Sequence, residues 1–200
     1  MVELSGVSFG YQSDKNVLDN LNLRMEEGRF YGLLGMNGSG KTTLLKLIAG
    51  KLFAHGGEIY VDGRNLRERD VETLQKVFML PADFIFPNMS LEQFLAIYSE
   101  FYPEFRKEVL NDCLVNFEIQ RDIKNLNQLS LGEKHKVAFS IALSLGTKIV
   151  LLDEAANGMD IPARKMFRKL LMKHVREDQI VVLSTHIVQD IENLLTDVIV

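Results

Sequence analysis

The chain has 200 residues, of which 46% are hydrophobic and 25% charged, and its formal net charge is −4 at pH 7. This length and apolar content allow one substantial core with an added lobe, and no apolar run approaches the roughly 20 residues of a transmembrane helix. The acidic balance and the lack of a long Lys/Arg block argue against direct recognition of DNA or RNA. Cys113 is the one cysteine, which excludes an intrachain disulfide and suits a reducing cytoplasm.

The beginning of the chain is predicted to form a small antiparallel sheet. Short strand-like segments with Gly turns occur in the first thirty or so residues and again at residues 58–63. Between them, the apolar run at residues 30–34 has no polar alternation, which predicts a strand that is buried on both faces.

A glycine-rich phosphate-binding pattern follows that buried strand: Gly35-Met36-Asn37-Gly38-Ser39-Gly40-Lys41-Thr42. Glycines let successive backbone N–H groups face phosphate oxygens, and the next helix adds the positive end of its dipole. Lys41 is expected to reach the β- and γ-phosphates, and Thr42 to offer its hydroxyl to Mg²⁺. The alternative is an ordinary Gly-rich turn between a strand and a helix. The predicted nucleotide contacts here are Gly35, Asn37, Gly38, Ser39, Gly40, Lys41, Thr42 and Thr43.

Apolar runs at residues 76–80, 148–152 and 180–184 predict three more buried strands, and helical stretches separate them. Together with residues 30–34, these strands are expected to pair in parallel, with helices on both faces of the sheet. The sequence therefore predicts an α/β fold with a mostly parallel core sheet.

The middle of the chain is predicted to be helical. Residues from about 88 to 146 contain no convincing strand, and Ser90 and Ser130 each open a helix with capping-box chemistry. We expect a single domain over residues 1–200 with this helical subdomain inserted into it. The chain stops within an apolar, strand-like run at residues 197–200, and we expect it to be truncated there.

Two adjacent carboxylates, Asp153 and Glu154, end the apolar run at residues 148–152. Next to a phosphate-binding loop, one carboxylate can hold Mg²⁺ with its water shell while the other polarises a water for in-line attack on the γ-phosphate. We assign the metal role to Asp153 together with Thr42, and the role of general base to Glu154. The alternative is that the pair only caps a buried strand before a turn.

At this point the chain resembles the ATP-binding-cassette (ABC) ATPase family over nearly its whole length. Leu129-Ser130-Leu131-Gly132-Glu133 is similar to the family signature and precedes the carboxylate strand, where the signature belongs. Asn157-Gly158-Met159-Asp160 resembles the D-loop, and Ser184-Thr185-His186 resembles the H-loop. Tyr11 stands where the family has an aromatic residue that stacks on adenine. The implied fold is a P-loop NTPase with a mostly parallel core sheet, an antiparallel β subdomain and an inserted helical subdomain.

The resemblance implies that two such domains, in a homo- or heterodimer, enclose two ATP molecules with Mg²⁺. Each site combines the P-loop of one domain with the signature of the other, so Ser130 and Gly132 contact ATP held by the second domain. Asp160 is a further implied nucleotide contact, and His186 is the implied γ-phosphate sensor. The predicted catalytic residues are Glu154, His186 and Lys41.

The chain departs from the family pattern in three places. Family members carry a glutamine after the Pro that ends the second core strand, whereas this chain has Ala82 followed by Asp83. We therefore expect slow or differently triggered ATP hydrolysis, unless Asp83 replaces the glutamine. Leu131 and Glu133 replace a glycine and a glutamine of the signature, which makes its edge bulkier and more acidic. Ala155 replaces the proline that usually follows the two carboxylates, a minor change.

Aromatic residues are concentrated between residues 84 and 117, and helical packing accounts for only some of them. In transporter members of the family this region receives a short helix from the membrane subunit, which favours a docking groove around Phe84, Phe86 and Met89. The alternative is that these side chains form the core of the helical subdomain.

The sequence favours an ATP-binding and ATP-hydrolysing subunit that powers a separate transmembrane permease from the cytoplasmic face of the membrane. Tyr102-Pro103-Glu104-Phe105 and the lack of fused membrane helices resemble the stand-alone ATPases of exporter-type systems. The alternative is a soluble ABC-type ATPase that acts on ribosomes or in DNA repair, but the tandem cassettes, long coiled-coil insertions and basic arms of that class are absent. A P-loop kinase would leave the signature and His186 unexplained.

Overall fold

The computed structural model describes residues 1–12, 15–185 and 194–200. The strands are β1 (Val2–Phe9), β2 (Leu18–Met25), β3 (Phe30–Leu33), β4 (Gly56–Val61), β5 (Arg64–Asn65), β6 (Val77–Leu80), β7 (Ile149–Asp153), β8 (Ile180–Ser184) and β9 (Asp197–Ile199). The α-helices are α1 (Lys41–Ile48), α2 (Val71–Gln75), α3 (Leu91–Tyr98), α4 (Lys107–Asn116), α5 (Leu131–Ser144) and α6 (Ile161–His174). Short 3-10 turns cover Leu66–Glu68, Ser99–Phe101 and Leu126–Gln128.

The antiparallel layer has the strand order β2-β1-β4-β5. In the central strand β1, Val2, Leu4 and Val7 are buried while the residues between them are more exposed, as expected for a sheet with one face on the core. These buried side chains share one hydrophobic cluster with the inner face of α1. The predicted antiparallel sheet is therefore confirmed, and it packs directly on the helix that follows the glycine-rich loop.

The core sheet has the order β6-β7-β8-β3-β9, and its strands pair in parallel. Every residue of β7 and β8 is buried, because the sheet is covered on both faces. Alternate residues of β7 enter different clusters: Ile149 and Leu151 face α1, whereas Val150 and Leu152 face the helical lobe. The predicted α/β core is confirmed.

Residues 88–146 are all described and contain α3, α4 and α5 but no strand. Capping boxes open two of these helices, at Ser90 with Gln93 and at Ser130 with Glu133. The lobe packs on the core sheet through one hydrophobic cluster that includes residues of β7 and β8. Within the described residues, no helix combines the length and apolar character needed to cross a bilayer.

Candidate nucleotide-binding site

The candidate site lies at the carboxyl edge of the core sheet. The glycine-rich loop follows β3, Asp153 ends β7 and Ser184 ends β8. Strand β8 lies between β7 and β3, and Ser184 is in register with Asp153 on one side and Leu33 on the other. Segments that are more than a hundred residues apart in sequence therefore meet at one point. In parallel α/β sheets this edge is where ligands bind.

Hydroxyl groups from two segments donate hydrogen bonds to the Asp153 carboxylate. The Thr42 hydroxyl donates to Oδ2 at 2.6 Å and the Ser184 hydroxyl donates to Oδ1 at 2.7 Å, while Asp153 is only 1% exposed. The network ties the first turn of α1 to the ends of β7 and β8. Sequence reasoning gave Ser184 no role, although a hydroxyl at the end of an otherwise apolar strand is a usable signal.

The oxygen atoms of Thr42 and Asp153 are chemically suited to Mg²⁺, which prefers hard oxygen ligands and keeps several waters or phosphate oxygens. No cluster of three or more His, Cys, Asp or Glu side chains that could hold a metal ion occurs within residues 1–12, 15–185 and 194–200. A cation at this point would therefore depend on phosphate oxygens and water for most of its ligands. The roles of Thr42 and Asp153 as metal ligands remain predictions.

The glycine-rich loop leads into α1 without a side-chain cap. Gly38 and Gly40 have φ values of 83° and 99°, in the left-handed region that favours glycine. A Cβ atom on Gly40 would also lie 3.1 Å from Val17 Cγ1. No described side chain caps the N-terminus of α1, and the first turn of this helix carries no acidic residue. The first N–H groups of the helix are therefore open to an anion.

The Lys41 side chain folds back over the glycine-rich loop. Its ammonium group donates hydrogen bonds to the carbonyls of Gly35 at 2.7 Å and Met36 at 3.0 Å. The charge therefore lies at the loop itself, in the position expected for a group that binds phosphate. Asn37 and Ser39 are exposed on the same loop, while Thr43 is buried on α1.

Glu154 begins the loop after β7 and is half-buried. Its φ of 50° is in the left-handed region, which is uncommon for a residue with a side chain. Backbone hydrogen bonds hold this conformation: Glu154 N–H donates to the Ser184 carbonyl at 3.0 Å, and Asn157 N–H donates to the Glu154 carbonyl at 2.9 Å. The turn carries Glu154 out of the sheet, directly beyond the buried Asp153.

Tyr11 follows β1 and lies beside the first turn of α1. Tyr11 Oη and Thr43 Oγ1 share a hydrogen bond at 3.1 Å, and Phe9 packs edge-on against the tyrosine ring with centroids 5.1 Å apart. The ring is nevertheless 61% exposed, so a flat group can stack on it. This geometry is compatible with the predicted adenine contact.

In the signature segment, the side chains of Ser130 and Glu133 form a capping box at the N-terminus of α5. The Ser130 hydroxyl donates to Glu133 Oε2 at 2.6 Å, and Ser130 N–H donates to the same oxygen at 2.9 Å. The hydrogen bonds from Ser130 hold the pKa of Glu133 below its usual value, so a carboxylate lies at the N-terminus of α5. Gly132 lies against the D-loop, where an added Cβ would be 3.2 Å from the Gly158 carbonyl oxygen. Leu131 is 65% exposed beside them.

Asp160 is the N-cap of α6, where its Oδ1 accepts a hydrogen bond from Ala163 N–H at 2.8 Å. The carboxylate is exposed, and its predicted contact with nucleotide remains a prediction. His186 lies outside the described residues.

The position of the missing glutamine is also at the sheet edge. Strand β6 pairs with β7 in register as far as Leu80 and Leu152, so Pro81 and Ala82 follow directly beside the strand that ends in Asp153. The Ala82 methyl group has no polar atom to offer there, and Asp83 is exposed.

The aromatic segment after Ala82 forms part of a groove as well as part of the core. Phe86 is buried in the cluster of the helical lobe, and Phe84 and Met89 are packed against it and partly buried, so these side chains are largely core. Ile85 is 88% exposed between the two phenylalanines. An open cavity of about 420 Å³ lies beside this segment, and its lining includes Phe84, Ile85, Phe86, Phe94, Tyr98 and Lys51.

Comparison with known proteins gives one consistent answer. A family model described as ABC transporter matches residues 18–157. The chain is 30% identical over 195 residues to the ABC transporter ATP-binding protein YtrB of Bacillus subtilis, covering 97% of this chain and 66% of YtrB. It is 31% identical over 209 residues to the ABC transporter ATP-binding protein NatA of Bacillus subtilis, covering 100% of this chain and 85% of NatA. A solved dimeric ATP-binding cassette in a post-hydrolysis state, bound to ADP and Pi, is similar with a TM-score of 0.81 and 26% identity, over 95% of this chain and 90% of that one.

Proposed function

The chain belongs to the ABC transporter family, and we propose that it is the ATP-hydrolysing subunit of a transporter whose membrane-spanning part is a separate protein. One observation carries the proposal: the uncapped N-terminus of α1, the Thr42–Asp153–Ser184 network and Glu154 meet at one sheet edge. This arrangement provides a phosphate cradle, oxygen ligands and a carboxylate within the same small region.

ATP binding is assigned to the glycine-rich loop and its flanks. Backbone N–H groups of the loop and Lys41 bind the phosphate oxygens, and Tyr11 stacks on the adenine. Thr42 and Asp153 would hold Mg²⁺, which, when bound, stabilises negative charge on the phosphate oxygens. The chain spans 66% of the length of YtrB, and ATP hydrolysis by this chain is accordingly part of the proposal.

Glu154 is assigned the role of general base. It takes a proton from a water molecule as the water oxygen attacks the γ-phosphorus in line, and the bond from that phosphorus to the bridging oxygen of ADP breaks. The left-handed turn at Glu154 supports this role because it directs the residue away from the buried sheet. His186 is retained as the proposed γ-phosphate sensor.

A second ATPase domain completes the site. Ser130, Gly132 and Asp160 of each domain would contact the nucleotide held by the other, in a homo- or heterodimer. Their adjacency within one chain supports this, because the D-loop carbonyl of Gly158 lies against Gly132. Closure on ATP and opening after hydrolysis would then supply the movement.

The permease is proposed to dock on the groove beside Phe84 and Ile85, at the cytoplasmic face of the membrane. The exposed isoleucine and the aromatic lining support an amphipathic helix as the docking element. Ala82, which precedes this segment, has no polar side chain, and we propose that turnover is slow for that reason.

Mass spectrometry of the proteins that co-purify with the tagged full-length protein from detergent-solubilised native cells tests the class. A stoichiometric protein with several membrane spans is the expected result. Ribosomal or DNA-associated partners without a membrane protein would replace the transporter assignment with the soluble alternative. Release of inorganic phosphate from MgATP by the purified protein, abolished by Glu154→Gln, tests the enzymatic part separately.

A further inference from the structure

A continuous row of aromatic contacts runs from the rim of the groove into the protein. Tyr98 stacks on Phe94 with centroids 4.0 Å apart, and Phe94 packs edge-on against Phe86 at 5.6 Å. Phe86 contacts Phe84 edge-on at 5.4 Å, and Phe84 contacts the ring of His135 at 5.1 Å. The row therefore starts at the proposed docking surface and ends at a histidine on α5.

His135 is an unusual residue at the end of this row. Its side chain is 5% exposed, and its Nδ1 atom has no hydrogen-bond partner among the described residues. Leaving a buried polar atom unpaired costs about 1–3 kcal/mol, so simple packing does not explain a histidine here. Burial lowers the pKa of the ring, and a hydrogen bond to the backbone of Ala155 acts in the opposite direction. Because this contact raises the pKa, the backbone atom is an acceptor, the Ala155 carbonyl oxygen, and with Nδ1 unpaired the ring faces it through Nε2.

Ala155 is the residue directly after Glu154, so its backbone belongs to the turn that carries the proposed base. The loop is closed by two short backbone hydrogen bonds, from Asn157 N–H to the Glu154 carbonyl at 2.9 Å and from Met159 N–H to the Ala156 carbonyl at 3.3 Å. His135 also borders the loop at Gly158, where an added Cβ would lie 3.8 Å from His135 Cδ2. A displacement of the imidazole therefore acts on the turn that follows the proposed base.

We propose that His135 is a positioning residue that holds the turn of residues 155–158 after Glu154 and transmits to it the movement of Phe84 when a partner helix occupies the groove. The inference rests on the proposed function, because it assigns a consequence to groove docking and to Glu154. Its physical basis is that an error of about 1 Å in the placement of a reacting group can reduce the rate roughly a hundredfold.

The experiment compares five variants of the full chain with the original. His135→Leu removes the N–H donor, whereas His135→Gln keeps an N–H donor of similar reach. Phe84→Leu interrupts the row one contact earlier, and it is also combined with His135→Leu. Phe117→Leu is the control, because Phe117, like His135, is buried in the lobe but contacts Phe139 rather than the row. For each protein we would measure ATP turnover, the Kd of a fluorescent ATP analogue, thermal unfolding and hydrogen exchange of residues 154–160.

His135→Leu is expected to lower kcat by roughly tenfold while the nucleotide Kd changes by less than about twofold. It should also accelerate hydrogen exchange within residues 154–160, whereas His135→Gln should restore both properties. Phe84→Leu should lower kcat less, and the double variant should resemble His135→Leu alone, because both substitutions interrupt one row. Phe117→Leu should lower the unfolding temperature without changing kcat or exchange in the loop.

Unchanged loop exchange in His135→Leu, or an equal change in Phe117→Leu, would overturn the inference and leave His135 with a packing role. Additive effects of Phe84→Leu and His135→Leu on kcat would remove the link to the groove. If the original protein binds the ATP analogue but releases no phosphate, the proposed function fails. The exchange measurement then still decides whether His135 positions the loop.

Discussion

The N-termini of α1 and α5 are predicted to meet the same γ-phosphate from opposite sides in the dimer, yet they are built differently. The first turn of α1 has no described side-chain cap and no acidic residue, and the helix follows a loop of glycines. The first turn of α5 has a complete capping box, in which Ser130 and Glu133 satisfy each other. One helix end therefore leaves its N–H groups to a ligand, and the other uses its own carboxylate.

This difference has an energetic consequence for the proposed composite site. Its P-loop half consists of residues 35–43 of one domain, and its signature half consists of residues 129–133 of the other. Helix α1 is tied to the sheet through Thr42 and Asp153, so its geometry exists before ATP arrives. At α5 an incoming phosphate must compete with the Glu133 carboxylate for the Ser130 hydroxyl and for the positive helix end. We therefore expect the P-loop half to bind ATP first and the signature half to limit closure of the dimer.

Glu154→Gln should have the largest effect, because it removes the proposed base without removing any phosphate contact. Turnover is expected to fall by roughly 10²- to 10⁴-fold while ATP binding at the P-loop half is retained. The ATP-bound dimer should then persist and be visible by size-exclusion chromatography with MgATP. A species that stays monomeric at saturating ATP would contradict the composite site.

Glu133→Gln is expected to have the next largest effect, on the signature half alone. Glutamine keeps the capping bond but removes the negative charge, so ATP-driven dimerisation should strengthen by roughly three- to tenfold. Sedimentation of the variant in a Glu154→Gln background measures this. Glu92→Gln is the matched control, since Glu92 also lies in the first turn of a capped helix, α3, outside the site. An equal gain in both variants would show a general charge effect.

Ala82→Gln is expected to have a smaller effect, on turnover at the P-loop half of the site. A glutamine at the carboxyl edge of the sheet, beside the strand of Asp153, could orient water or Mg²⁺, and turnover should rise severalfold without a change in dimer affinity. Phosphate release at saturating ATP is the measurement. Unaltered turnover would mean that another group, such as Asp83, already serves.

Asp112→Asn should have the smallest effect, on the link between the lobe and α6. Asp112 Oδ2 accepts from Lys173 Nζ at 2.8 Å and lies 2.7 Å from His174 Nε2, and the Lys173 bond is the main reason that the pKa of Asp112 is lowered. The carboxylate form therefore favours the folded state above its unfolded pKa, and that stability is lost as pH falls through the lowered folded value.

At neutral pH, Asp112→Asn should reduce the free energy of unfolding by about 0.5 kcal/mol after allowance for solvent screening. Urea unfolding of both proteins checks this, and the difference should vanish at acid pH, once the carboxyl of the original protein is protonated. A difference that persists there would mean that packing, rather than charge, accounts for it. Affinity for ATP at the P-loop half should not change.

The sequence predicted the fold and the place of the glycine-rich loop between a strand and a helix, for physical reasons that are local. Uninterrupted apolar runs such as residues 180–184 predict strands buried on both faces, and that strand has the predicted bounds. The glycine-rich loop is readable because phosphate binding needs consecutive backbone N–H groups and positive φ values. The sequence did not distinguish a docking groove from a core among the aromatic residues, because a side chain such as Phe86 gives the same sequence pattern in either place.

The sequence alone is enough to predict the local motifs, their order along the chain and the α/β class, because each depends on a short run of residues and its periodicity. The contacts between distant groups are known only from the fold. Strand order places Ser184 between the P-loop strand and Asp153, and helix packing brings the His135 ring against Phe84 and beside Gly158. Such contacts arise from register and packing between segments far apart in sequence, which no single motif encodes.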